Sequence, residues 1–104
     1  MGKVKWTDKA NSHLFAIFEY IAKDSKVYAS RFIKSLILAT KKLELMPECG
    51  RKVPEFETLD FREVIYNNYR IIYVISDISR EVEILAVIHS ARDIKAALQE
   101  DWEL

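Results

Sequence analysis

Among its 104 residues the chain has one cysteine, two glycines, two prolines and no net charge. A single thiol, Cys49, cannot close an internal disulfide, so a cross-linked framework is excluded and a reducing compartment is the natural setting. The thiol itself reads as a buried or half-buried inert group. The sequence holds no glycine-rich phosphate loop. Its two histidines, His13 and His89, do not combine with Cys49 into a metal-ligand spacing. No nucleophile motif supports a Ser-His-Asp arrangement. No cofactor and no metal are therefore expected. No apolar run approaches the roughly 18 uncharged residues that a membrane span needs. The opening MGKVKW has no apolar stretch of the signal-peptide kind, so a cytoplasmic protein is expected. Zero net charge also argues against a strongly basic nucleic-acid binder.

What remains is a globular composition, 50% apolar and 31% charged. The length suits one domain over residues 1–104, with one modest core. Charge is unevenly spread: residues 1–52 carry 11 Lys and Arg against 5 Asp and Glu, and residues 53–104 carry the reverse. The first half can show a basic face, although solvated helix surface accounts for most of that excess.

Periodicity divides the chain in the same way. Val4 to Trp6 is a short strand candidate, and Thr7 is a good N-cap with Asp8 in the first turn behind it. Ala10, Leu14, Ile17, Phe18, Ile21 and Ala22 recur at helical spacing and predict a helix over 8–23. Ser25 restarts the pattern as a second N-cap. Tyr28 or Ala29, Phe32, Leu36, Ala39 and Leu43 carry that stripe to about residue 46, where Pro47 and Gly50 end it. Two helices joined by two or three polar residues fold back as a hairpin.

After an aperiodic connector over 51–60 the chain turns β-rich, in FREVIY (61–66), YRIIYVIS (69–76) and EVEILAVIH (81–89). Asn67-Asn68 reads as a two-residue hairpin turn, because Asn tolerates positive φ. Residues 77–80 form a second turn, and 91–101 read as a closing helix before the acidic end EDWEL. The expected fold is α+β, a βααβββα domain with the helical hairpin packed on a small antiparallel sheet.

Arg70 stands inside this β-rich run, where a charge is costly unless paired. With Asn67-Asn68 as the turn, Ile65 lies opposite Arg70. One face then carries Phe61, Glu63, Ile65, Arg70, Ile72 and Val74, and the other carries Arg62, Val64, Tyr66, Tyr69, Ile71, Tyr73 and Ile75. Glu63 is a diagonal neighbour of Arg70 and a candidate ion-pair partner. Both faces are largely apolar. The hairpin covers only one, so the other calls for a concave pocket or a partner.

LELMPECGRKVPE (43–55), the RE pair at 62–63, YRIIY (69–73) and ILAVIHSARD (84–93) together resemble the RelE/ParE superfamily of toxins from type II toxin–antitoxin modules. WTDKA (6–10) and YIAKDS (20–25) are similar to its ParE branch, the plasmid stabilisation proteins. The resemblance runs in order over about residues 4–98. It implies a cytoplasmic toxin held inactive by a cognate antitoxin, whose C-terminal segment wraps around it in a hetero-oligomer. It also implies that operator DNA is bound only through the antitoxin. RelE-like members cut mRNA on the ribosome, whereas ParE-like members interfere with DNA gyrase.

Metal-free RNA cleavage needs a base, cations for the phosphorane charge and an acid for the leaving oxygen. On the resemblance, Arg70 and Arg92 match the two RelE arginines. The strand lysines fall on Phe61 and Glu63, and the C-terminal tyrosine falls near Leu98. A second nuclease design in the superfamily combines Glu, Arg and His, which brings Glu55, Arg70 and His89 into view, although His89 is out of register with it. Arg70, Arg92, His89 and Glu55 are thus the catalytic candidates if the chain is a metal-independent endoribonuclease. The reading preferred here is a non-nuclease ParE-like toxin acting on gyrase, with Phe61, Glu63, Ile65, Arg70 and Ile72 forming the antitoxin groove. The alternatives are a RelE-like ribosome-dependent endoribonuclease, and a non-toxic homologue kept as an antitoxin-binding, autoregulatory partner.

Overall fold

Thr7 converts the chain from strand to helix. Its backbone N–H donates to the Ile84 carbonyl at 3.1 Å, which ends a strand pairing, and its hydroxyl accepts from the Ala10 N–H at 3.1 Å, which caps a helix. The structure is a computed structural model that describes residues 3–92 and Ile94. Strand β1 (Val4–Trp6) leads into helix α1 (Asp8–Ala22), and Ser25 caps helix α2 (Lys26–Leu38) by accepting from the Tyr28 N–H. Strands β2 (Arg51–Lys52), β3 (Arg62–Tyr66), β4 (Tyr69–Ile75) and β5 (Val82–His89) follow. The predicted closing helix over 91–101 lies outside the described residues, apart from Ala91, Arg92 and Ile94.

The five strands form one sheet in the order β1-β5-β4-β3-β2. The expectation of an antiparallel sheet needs correction at one edge. β1 runs parallel to β5, with Val4 opposite Val82 and Trp6 opposite Ile84, because the helical hairpin carries the chain across the sheet between them. The other pairings are antiparallel, and Ile65 lies opposite Arg70 as the turn predicts. Asn67 takes φ 52°, the left-handed value that such a turn requires.

Three local features depart from the sequence expectation. Helix α2 stops at Leu38, where Thr40 Oγ1 turns back to the Ile37 carbonyl at 2.7 Å and competes with helix continuation. A 3-10 turn over Lys41–Glu44 then keeps Leu43 fully buried, so the apolar stripe outlasts the helix. Cys49 is exposed rather than buried, because the following 3-10 turn, Pro47–Cys49, directs Gly50 inward in its place. In β5, Leu85 is an extra residue, since Tyr73 pairs with Ile84 while Ile72 pairs with Ala86. This bulge switches the parity of the strand. Ile84 and Val87 therefore face one side, and Ala86 and Ile88 face the other.

The sheet has two cores. Beneath the hairpin, Ala10, Leu14, Ile17, Phe32 and Leu36 pack on Val64, Ile71, Tyr73, Ile84 and Val87. On the far face, Ile72, Ala86 and Ile88 are covered by Val53 and Ile94, with Phe56 and Phe61 alongside. The second face thus carries a cover of its own, supplied by the aperiodic 53–61 segment, where a pocket or partner was expected. Phe56 and Phe61 meet edge to face at 5.5 Å between ring centres.

Tyr73 ties the 3-10 turn to the sheet. Its fully buried hydroxyl donates to the Pro47 carbonyl at 2.6 Å and accepts from the Gly50 N–H at 3.0 Å. A β-carbon on Gly50 would stand 2.5 Å from that hydroxyl and 2.6 Å from the Glu63 carbonyl. Gly50→Ala is expected to destabilise the fold by about 1–3 kcal/mol through overpacking. Tyr73→Phe, which leaves the buried Gly50 N–H without its acceptor, is expected to cost about 1–3 kcal/mol. Urea unfolding of the two variants measures both losses.

Candidate functional site

Arg70 and Glu63 are the two charged residues buried in the sheet, at 7% and 1% exposure. A lone charge there is prohibitive, and the chain answers with four alternating charges. Arg51, directly opposite Glu63 on β2, donates from Nε to Glu63 Oε2 at 2.5 Å. Arg70 Nε donates to Glu63 Oε1 at 2.6 Å, which fulfils the diagonal pairing expected from the turn. The fork of Arg70 then grips Glu55 with both terminal nitrogens, at 2.9 and 2.8 Å. Planar two-point contact of this kind is the strongest geometry available to an arginine–carboxylate pair. Among the described residues, no buried side-chain nitrogen or oxygen is left without a partner.

The network sets the charge states of its members. The Glu55 carboxyl titrates below its ordinary value of 4.5, chiefly because it accepts hydrogen bonds from Arg70. The hydrogen bond to Glu55, and after it those to Glu63, push the Arg70 guanidinium further up, so it stays protonated. It also anchors a segment without regular structure: Glu55 lies between Val53 and Phe56, which cover the far face. The ion pair fastens that cover to the sheet.

The remaining candidates lie elsewhere. The register pairs Arg70 with Ile88 and Tyr69 with His89, so Arg70 and His89 project from opposite faces. His89 and Arg92 line an open cleft of about 400 Å³ together with His13, Ala16, Ile17, Tyr20, Tyr69, Val87 and Ile88. Of the four residues weighed for RNA cleavage, the structure thus joins Arg70 to Glu55 on one face and His89 to Arg92 on the other. Of the five weighed as a groove, Glu63 and Ile72 are fully buried and Arg70 nearly so, while Phe61 is half-buried and Ile65 is 52% exposed. Arg51 was not anticipated. Its signal was its place in GRKVPE, on a short strand directly opposite the glutamate it helps to neutralise.

The cleft exists because β1 ends early. Its pairing with β5 stops at Ile84, which leaves the Val87 N–H without a strand partner, and His13 Nδ1 accepts from it at 3.0 Å. That bond places the proton of a neutral His13 on Nε2. His89 Nδ1 accepts from the Ala91 N–H at 3.1 Å, and its ring meets Tyr69 edge to face at 5.3 Å. Burial raises the pKa of the Tyr69 phenol, and nearby Tyr20 adds to the effect, so Tyr69 remains a hydroxyl donor at neutral pH.

Two outcomes test the charge chain. Arg70→Ala takes the donor from Glu63 Oε1 and leaves the buried carboxylate with Arg51 alone; it is expected to cost about 3–5 kcal/mol in chemical denaturation, while Arg70→Met with Glu63→Leu recovers most of that loss. The second concerns acid. Because the Glu55 pKa is depressed on folding, its contribution is complete above the unfolded value of 4.5 and is lost as pH falls through the lower folded value. Amide exchange at Val53 and Phe56 should therefore accelerate below about pH 4.5, relative to Glu55→Gln, which should lack that acid-dependent step.

No curated protein matches the chain. Among solved structures it is similar to a chain of the chromosomal ParDE system from P. aeruginosa, at a TM-score of 0.72 and 22% identity, covering 86% of this chain and 96% of that one. It is also similar to a chain of the RelBE2 toxin–antitoxin complex from Mycobacterium tuberculosis, at a TM-score of 0.63 and 22% identity, covering 85% and 96%. Identities this low carry the fold alone. A sequence model of the ParE toxin of the type II toxin–antitoxin system parDE matches residues 4–94, nearly all of the described chain. The chain belongs to the ParE toxin family of type II toxin–antitoxin systems.

Proposed function

We propose that this ParE-family chain inhibits growth by binding DNA gyrase rather than by cutting RNA, and that the C-terminal segment of a cognate antitoxin neutralises it. The observation that carries this reading is the state of Arg70. To stabilise a phosphorane, an arginine must offer its fork to an incoming anion. Here both terminal nitrogens are held by Glu55, and Nε is held by Glu63. A phosphate would have to displace a carboxylate gripped at two points, and the buried Glu63 behind it would repel a second negative charge. Glu63 also occupies a position where RelE-like enzymes, on the resemblance, carry a lysine.

A toxin that works by docking needs exposed apolar anchors. The chain presents Phe15, Tyr20, Val27 and Tyr28 on the hairpin, all more than half exposed, and Ile65 on the far face. On this reading the antitoxin segment packs along the rim of the far face, against Ile65 and Phe61. Arg70, Glu63 and Ile72 form the rigid floor beneath, by groove-binding logic. Operator DNA is then reached only through the antitoxin, within a hetero-oligomer. None of the helices is long and apolar enough to cross a membrane, among the described residues.

One observation favours the ribonuclease alternative, namely that His89 and Arg92 share a cleft with His13. The two readings separate when the chain is expressed without antitoxin. Gyrase-dependent DNA breaks with intact transcripts are expected. Cleavage within codons of translated mRNA, abolished by Arg92→Ala or His89→Ala, would sink the gyrase reading. Unimpaired growth in both assays would leave a non-toxic partner of the antitoxin.

A further inference from the structure

From Lys26 to Leu43 the chain carries five Lys and Arg and not one Asp or Glu, and Asp24 and Glu44 are the nearest carboxylates in the sequence. Helix α1 mixes its signs, with Asp8 and Glu19 on the same helix as Lys9, as solvated helices do. Helix α2 does not. Its inner side buries Ala29, Phe32 and Leu36, and its outer side runs through Val27, Arg31, Lys34 and Leu38, spaced by four, three and four residues. These four side chains form one line about 16 Å long. Val27 and Leu38, at its ends, are 65% and 63% exposed, and Arg31 and Lys34 stand exposed between them. Among the described residues neither of these two cations has an ion-pair partner, whereas Lys41, beyond the helix, is paired with Glu44. Ser30 and Ser35, small and exposed, flank the line. Tyr28 leans on Phe32 with 6.2 Å between ring centres, so one apolar shoulder is fixed before a partner arrives.

The order of groups along the line selects its partner. An interfacial helix that lies on lipid carries apolar residues along the middle of its buried face and cations beside them. Here the cations hold the middle and the apolar groups hold the ends. A nucleic-acid backbone calls for cations along its whole track and offers Val27 and Leu38 nothing to cover them. A protein surface with carboxylates between two apolar hollows satisfies all four side chains at once, since the ends lose water and the central charges fix the register. We propose that the α2 line Val27–Arg31–Lys34–Leu38 is the element that recognises the protein target, and that the matching surface of the target is acidic at its centre and apolar at both ends. This rests on the docking reading given above and names what that docking selects for. Phe15, Tyr20 and Tyr28 supply contact area, while Arg31 and Lys34 choose the partner. Both cations belong to the hairpin side of the sheet, so their charge can be changed without touching the Arg70 network on the other face.

The test uses the full chain and purified DNA gyrase, with affinity measured at about 50 and about 300 mM salt. Binding by the unaltered chain is expected to weaken about tenfold over that range. Arg31→Gln and Lys34→Gln should each weaken it about tenfold at the lower salt, and Arg31→Glu with Lys34→Glu about a hundredfold. Val27→Ser with Leu38→Ser should weaken it by the same factor at both salt concentrations, because apolar contact is not screened. Lys5 serves as the control. Its neighbours Val4 and Trp6 pack beneath the hairpin, so it points to the other face, and Lys5→Gln should leave affinity unchanged. All of these positions are at the surface, and circular dichroism should show an intact fold for each variant.

Gyrase binding that ignores salt and survives the double reversal overturns the inference and leaves the docking reading standing. No gyrase binding at either salt removes both. Duplex DNA, single-stranded RNA and dioleoylphosphatidylglycerol vesicles are assayed alongside, and self-association is followed by sedimentation. If the double reversal abolishes one of these while gyrase binding persists, the inference is overturned and that nucleic acid, lipid surface or second copy is the occupant of the line.

Discussion

A carboxylate buried to 1% exposure in the middle of a sheet is the constraint to which this small domain is built. Glu63 cannot be left ionised and alone, since the cost of an unpaired buried charge rivals the whole stability of a 104-residue domain. Its two oxygens require two donors, and each donor brings part of the chain with it. Arg51 brings the two-residue edge strand and, through its neighbour Gly50, the contact with the Tyr73 hydroxyl. Arg70 brings β4 and, through its fork, Glu55 with the segment that covers the far face. The order Arg51–Glu63–Arg70–Glu55 alternates in sign along its length and is neutral in sum. A chain with few glycines and no disulfide thus fastens its irregular middle third by charge pairing and one buried tyrosine.

The sheet also acts as a partition. Pairing of Tyr69 with His89 and of Arg70 with Ile88 sends the titratable groups of adjacent positions to opposite sides. The bulge at Leu85 is what makes this workable. Without it, Ile84, Ala86 and Ile88 would all point beneath the hairpin, and the far face would lose two apolar residues that Val53, Phe56 and Phe61 cover. With it, both faces carry a core, and the β5 edge beyond β1 is free to bond His13 rather than another strand. The charge chain on one side and the aromatic cleft on the other follow from one extra residue in one strand.

Much of this was legible in the sequence where chemistry is local. Thr7 and Ser25 announce the helix starts, Asn67-Asn68 fixes the hairpin, and that turn alone places Arg70 diagonal to Glu63 and sorts every residue of β3 and β4 by face. Legibility failed where partners are distant or the period is absent. RKVPEFETLD has no periodicity, so neither β2 nor the return of Glu55 to Arg70 could be read from it. ILAVI is apolar throughout, so a bulge within it leaves no trace in the pattern. His13 reads as an ordinary helix residue because its partner, the Val87 N–H, lies 74 residues away and is free only because β1 is three residues long. The exposure of Cys49 followed from the Gly50–Tyr73 contact, which no local rule encodes.

An arginine in a YR strand can be a reagent or a rivet, and the difference lies in what occupies its donors. An arginine that handles phosphate must keep its fork open and its surroundings short of negative charge. Here two carboxylates take three of its nitrogens, and one of them has no exposure to solvent. A buried glutamate at such a position supplies the anion that captures the neighbouring arginine. Once captured, that arginine can hold a loop over an apolar face. The capture requires only that the loop carrying the second carboxylate be long enough to reach back. The segment from Val53 to Phe61 is long enough.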